Sequence, residues 1–274
     1  MLYIAFITYY GYIIGFDWNG SAQPHLYWLL LAFVLPNYYW LQKKSPNGSF
    51  MTFHHWMIPM SISTLLAPLV GFDNILFNFL LFNSLYGFYI NFGQIKFTSS
   101  VNGYIGLGAL GTIIMFLMGS FRIFWQELFS LEDYYIDGFG IAYNIIFLAT
   151  AIGILIWRYG KDSSILRNPL NYMFIAYIPI FFIAMSSSLI AMLLCNLIVA
   201  VLGIMIILEA VKNDNLGTLN LGLFLISVLI VCRYFDMNIP FVLRGILFIL
   251  IGVGFFIANY LMFQKRKAQE ANKD

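Results

Sequence analysis

Charge is what this sequence has least of. Only 9% of its 274 residues are Asp, Glu, Lys or Arg, against about 25% in soluble domains. So few charges cannot cover a water-facing surface of this length, which excludes a soluble globular chain. Cysteine is nearly absent. Cys195 and Cys232 both lie in apolar runs, which excludes a disulfide framework or a thiolate metal spacing and leaves them as small interior residues. Histidine is confined to His25, His54 and His55. No glycine-rich phosphate loop occurs, and no nucleophile elbow surrounds Ser186, Ser187 and Ser188. The first residues show no basic region and no small-residue cleavage site of a signal peptide. Carboxylates are missing from the depth of every apolar run, which argues against a proton-coupled transport path.

What is present is apolar and aromatic. Hydrophobic residues make up 61% of the chain and aromatic ones 19%, led by 28 Phe and 18 Tyr. This is the composition of an integral membrane protein. A bilayer span needs about 20 apolar residues. Dividing the sequence at its polar and turn-forming clusters predicts about ten spans, at 1–16, 25–41, 55–72, 75–93, 101–122, 138–158, 169–186, 188–209, 216–235 and 240–263. The expected fold is therefore all-α, a polytopic transmembrane bundle. Residues 1–264 form a single transmembrane domain and 265–274 a basic cytoplasmic tail.

Charge sign, which played no part in that division, orients it. With the first residues inside and every span crossing, the cytoplasmic segments hold Lys43, Lys44, Lys96, Arg158, Lys161, Arg167, Lys212, Lys265, Arg266, Lys267 and Lys273. The outer side keeps only Arg122, Arg233 and Arg244. Lys and Arg concentrate on the cytoplasmic side of membrane proteins, so eleven against three supports the topology, with both termini cytoplasmic.

One connection is long, "FRIFWQELFSLEDYYIDG" at 121–138. Acidic and aromatic together, it suits a short amphipathic segment lying at the outer interface. Pro36, Pro59, Pro68 and Pro179 fall inside apolar runs and are expected to kink their helices and shape the bundle. Gly103, Gly106, Gly108 and Gly111 in the fifth span, and Gly245, Gly252 and Gly254 in the tenth, are expected to let helices approach closely. Asn78, Asn83, Asn91, Asn144, Asn196 and Asn220 lie within spans, either bonding helix to helix or lining a polar path. His54, His55 and Trp56, at the inner end of their span, are expected to anchor the interface. His25 falls on the opposite side, so no three-His metal site can form in this topology.

The unusual cluster is in "VCRYFDMNIPFVLRG", 231–245. Arg233 and Asp236, three apart, share a helix face, and Arg233 suits a helix C-terminus. Asn238 can cap the last span and Pro240 suits its first turn. Arg244 then lies about one turn into a helix, where the dipole opposes a cation and the membrane penalises it. It needs a partner: Asp236 across the turn, or Glu127, Glu132 or Asp133 of the long outer loop. Arg122 stands at that loop's start, and "SFRIFW" at 120–125 echoes "VCRYFD" at 231–236. Arg233, Asp236, Arg244, Arg122, Glu127, Glu132 and Asp133 thus form the candidate outer polar cluster. It reads either as a clamp fixing the final hairpin or as an anion-recognising pocket.

The closing hairpin also carries a resemblance. An Arg-aromatic-Phe-Asp run (Arg233, Tyr234, Phe235, Asp236), then Arg244, Gly245 and Phe248 opening a helix, then a basic tail, resembles the end of a bacterial multi-pass membrane family, domain of unknown function 2157 and its relatives. "FRIFWQEL" at 121–128 is similar too. The resemblance implies a bacterial cytoplasmic (inner) membrane location and brings no activity with it. The reading taken from the sequence is a non-enzymatic membrane protein, a small transporter-like carrier or an envelope-assembly component. The alternative is a membrane enzyme on a lipid-linked substrate, using acids of the 121–138 loop. Expected partners are the lipid bilayer and other envelope membrane proteins, without nucleic acid. No cofactor, metal or assigned catalytic residue is expected.

Overall fold

A backbone in lipid must satisfy every N–H and C=O internally, and this chain does so with helices. The computed structural model describes residues 24–46, 48–70, 75–96, 102–130, 138–163, 165, 168–236 and part of 242–264. Among these are nine continuous α-helices, short 3-10 turns and no strand. They are α1 (Pro24–Lys44), α2 (Ser49–Val70), α3 (Ile75–Lys96), α4 (Gly103–Gly119), α5 (Arg122–Ser130), α6 (Gly138–Lys161), α7 (Met173–Ser186), α8 (Ser188–Lys212) and α9 (Leu216–Asp236), with the 3-10 turn at Pro169–Asn171 before α7. Helical residues recur between 242 and 264. The first expected span, 1–16, and the tail, 265–274, lie outside the described residues.

Among the described residues, three helical stretches are long and apolar enough to cross a bilayer: Ile141–Lys161, Ser188–Lys212 and Leu216–Arg233. Helices α4 and α5 reach that length and apolarity only if the two, bent by 84° at their junction, are counted as one broken span. Helices α1, α2 and α3 have spanning length, at 21, 22 and 22 residues. Tyr, Trp, His and Asn dilute their apolar character.

Local chemistry sets the boundaries. Ser187 separates α7 from α8 as an N-cap, its hydroxyl accepting from the Ile190 N–H at 3.4 Å. Between α8 and α9, Asp214 adopts the left-handed conformation at φ 53°, and Asn215 accepts from the Thr218 N–H at 3.2 Å. Two expectations need correction. The run 169–186 is not one helix, because Asn168 caps a 3-10 turn opened by Pro169 and α7 begins only at Met173. The run 101–122 ends at Gly119, and α5 turns away from it. Helix α5 is the expected short amphipathic segment.

The described residues form two compact units. One comprises residues up to 115 together with 128–181; the other comprises 116–127 together with 182 onward. In the first, α3 lies along α6, and α2 packs on α1 and α3. Its core is aromatic, with Leu81, Leu85, Tyr89 and Tyr104 buried against Tyr86, Phe88 and Phe92. The α4 glycines behave as expected. A Cβ on Gly103 would stand 2.5 Å from the His55 carbonyl carbon and oxygen, and one on Gly111 would stand 2.5 Å from the Tyr86 ring. Only a residue without a side chain lets these backbones meet. Gly103 covers a place where α2 is weakened, since Pro59 has no N–H to give the His55 carbonyl.

In the second unit, α8 and α9 form an antiparallel pair. Gly203 and Gly222 face each other, a Cβ on Gly222 falling 3.1 Å from the Gly203 carbonyl. Ala210, Leu219 and Leu223 are buried there with Ile207 and Phe255 against them. Gly245, Gly252 and Gly254 differ from expectation: a Cβ on any of them meets nothing within 4 Å. They make no close helix contact among the described residues.

Candidate functional site

The bend after α4 gathers several polar groups of the second unit. Helix α4 ends with carbonyls that have no intrahelical donor. Trp125, fully buried, donates its indole N–H to the Gly119 carbonyl at 2.6 Å. Asn196 of α8 donates to the Ser120 carbonyl at 3.2 Å and to the Met192 carbonyl at 2.7 Å. Arg233, half-buried near the end of α9, donates to the Ser120 hydroxyl at 3.4 Å and lies over the Phe121 ring, 5.2 Å from its centroid. A cation here complements the negative end of the α4 dipole as well as that of its own helix. Cys195 is buried in the same place, its Sγ where a Cβ on Gly119 would come within 2.9 Å.

Of the candidate outer cluster, then, Arg233 stands beside the "SFR" segment that echoed its own. Arg122 and Glu127 are exposed on α5. Asp236 is the last residue of α9, its side chain outside the described residues. Glu132, Asp133 and Arg244 lie outside them as well.

The first unit holds a second polar site, which sequence reading dispersed over loops and spans. Arg158, in the last turn of α6, donates to Asn91 Oδ1 at 2.6 Å and to Gln94 Oε1, both on α3. Asn91 in turn donates to the Gly87 carbonyl at 2.9 Å and to the Asn171 carbonyl at 2.8 Å. Gln94 donates to Asn171 Oδ1 at 3.0 Å, and Asn171 donates to the Ile165 carbonyl at 2.7 Å. One arginine and three amides therefore join α3, α6 and the turn before α7. Asn83, about two helical turns before Asn91, donates to the Phe174 carbonyl at 2.7 Å. Of the six span asparagines, Asn83, Asn91 and Asn196 tie elements together and Asn220 is exposed.

His54 and His55 are not interface anchors. Each is only 2% exposed. His54 donates from Nδ1 to the Phe50 carbonyl at 2.8 Å and stacks on Tyr38. His55 meets Tyr38 edge-on and lies near Tyr104. Their adjacency sends them in different directions, but the start of α2 is enclosed by α1 and α4, so both directions are interior. Among the described residues, no group of three His, Cys, Asp or Glu is placed to hold a metal ion.

These contacts fix which helix ends of the first unit lie together. Tyr38 near the end of α1 touches the start of α2; His55 touches Tyr104 at the start of α4; and Phe92 near the end of α3 touches Tyr104 as well. Arg158 at the end of α6 reaches Asn91 and Gln94, and Asn91 reaches the turn before α7. The C-terminal ends of α1, α3 and α6 and the N-terminal ends of α2, α4 and α7 thus share one end of that unit. Lys43, Lys44, Lys96, Arg158, Lys161 and Asp162, the charged residues described in that unit, all belong to it. Comparison with known proteins finds no match to this chain, whether among family models, curated proteins or solved structures.

Proposed function

We propose that this chain is a multi-pass protein of a bacterial cytoplasmic membrane, with about ten spans and both termini inside, and that it serves as a non-enzymatic envelope-assembly component. The carrying observation is that, among the described residues, the charges of the first unit gather at one end. Helices α1, α2, α3 and α6 run about 30 Å or slightly more, the thickness of a bilayer core, and the described charges sit at one end and are mostly basic, as a cytoplasmic face requires. Assembly is favoured over carriage by the partners of the amides. Asn83, Asn91 and Asn196 bond helix to helix or to a connecting turn, and one cavity, of about 220 Å³ between α9 and the last helix, is lined by Leu223, Ile226, Ile230, Leu250 and Phe255 with Ser227 as its polar residue. Kinship to the domain of unknown function 2157 is part of the proposal, resting on the closing hairpin. There, Asp236 pairs with Arg244 and the cluster locks the hairpin or receives an anionic group of a partner.

Complementation of a deletion strain tests the non-enzymatic reading. A chain carrying E127Q, E132Q and D133N together should restore the deletion's envelope or growth defect as fully as wild type. Loss of complementation with the protein still present in the membrane would replace assembly by catalysis at the 121–138 loop. For the hairpin lock, D236N should lower thermal stability in detergent far more than D137N, and equal effects would refute the pairing.

A further inference from the structure

We infer that the end of the first unit where α1, α3 and α6 finish is a docking surface for anionic phospholipid headgroups, carried by three lysine–aromatic pairs. The inference rests on the membrane reading above. Lys43 Nζ lies 4.8 Å from the centroid of the Tyr39 ring, Lys44 Nζ 4.8 Å from Trp40, and Lys161 Nζ 3.6 Å from Trp157. Each pair is four residues apart on one helix face, in the final turns of α1 or α6. The same device therefore recurs on two helices distant in sequence whose ends the fold brings to one level.

The rings are turned outward: Tyr39 is 59% exposed, Trp40 56% and Trp157 48%. Tyr and Trp in that position sit at headgroup depth, apolar body toward the acyl chains and polar edge toward water. An ammonium held over the ring has its stem against an apolar surface and its N–H donors directed to the same layer. A phosphate or phosphatidylglycerol headgroup is the anion found at that depth. Tyr39 and Trp40 are neighbours, so their two pairs present to different sides of α1. Arg158 has another job at this end, because Asn91 and Gln94 hold its guanidinium. Asp162, the described carboxylate here, follows Arg158 by one turn. The three lysines make no carboxylate pair among the described residues, leaving the surface cationic.

The test uses the full chain reconstituted in bilayers of phosphatidylcholine alone or mixed with phosphatidylglycerol, with retained lipid counted by native mass spectrometry after extraction. Phosphatidylglycerol should be retained above its bulk fraction, by roughly fivefold per lysine at low salt, and less at high salt. K43Q/K44Q/K161Q should remove that enrichment, and K43R/K44R/K161R should keep it. Equal retention of both lipids by wild type, or full enrichment in the glutamine variant, overturns the inference. Failure of the membrane reading looks different: the chain would not enter phosphatidylcholine bilayers at all. Both variants change exposed side chains, and elution of each as the wild-type species in size-exclusion chromatography establishes that lipid counts compare folded protein.

Discussion

The two units of this molecule solve helix association differently. The first uses polar cross-links and rings: Arg158 and its amides, Asn83 on the Phe174 carbonyl, and tyrosines and histidines packed edge to face. The second pairs α8 and α9 through Gly203, Gly222 and a layer of Leu, Ile and Ala, with polar bonds concentrated at the α4–α5 bend. Lipid tails are as apolar as Leu, so burying apolar surface cannot by itself join helices in a membrane. Close backbone approach and interhelical hydrogen bonds are the two remaining means; the first unit combines both, its α4 glycines meeting α2 and α3 beside the polar cross-links, whereas α8 and α9 pair through glycine approach.

The comparison can be broken most sharply where both means coincide. Gly103→Leu would drive a side chain into the His55 and Trp56 backbone. We expect it to abolish the folded species or cost about 3 kcal/mol or more, read as lost monodisperse protein in detergent. Gly153→Leu, with open space around its site, should leave the elution profile unchanged. Next in size is Arg158→Met, which strands the Asn91 and Gln94 acceptors. A loss of about 1–3 kcal/mol should appear in thermal unfolding, and R158M/N91L/Q94L should recover part of it. Gly222→Ala, pressing on Ile207 and the Gly203 carbonyl, should cost about 1–2 kcal/mol by the same measurement. Asn196→Leu should be the mildest, about 0.6 kcal/mol, because Trp125 still caps Gly119. A larger effect for Asn196 than for Arg158 would invert the proposed division between the units.

Much of the helical division was legible. Polar clusters end helices wherever they occupy the chain's turns: Ser45 and Gly48 after α1, Ser187 between α7 and α8, Asn213 to Asn215 between α8 and α9. The α4 glycines also announced their close contacts. The Gly245, Gly252 and Gly254 pattern looked the same on paper, but a glycine shows only that approach is allowed; whether a neighbour comes is decided elsewhere. The bend at Ser120 was hidden because Gly119 and Ser120 prolong an apolar run whose break depends on Trp125 folding back on Gly119. His54 and His55 were misplaced for a related reason: sequence located them at a helix end, and only the arrival of α1 and α4 encloses that end. Arg158 could not be found as a site at all. Its partner Asn91 is 67 residues away, and nothing local distinguishes an arginine closing a span from one anchored across helices.

The central claim, that the first unit crosses a membrane with its basic end inside, is tested most directly on the two sides of α6. In a chain with Cys195 and Cys232 replaced by alanine, Ser130→Cys and Ser163→Cys should react with a membrane-impermeant maleimide from opposite sides of intact cells: position 130 at once, position 163 only after permeabilisation. Labelling of both positions from the same side would contradict it.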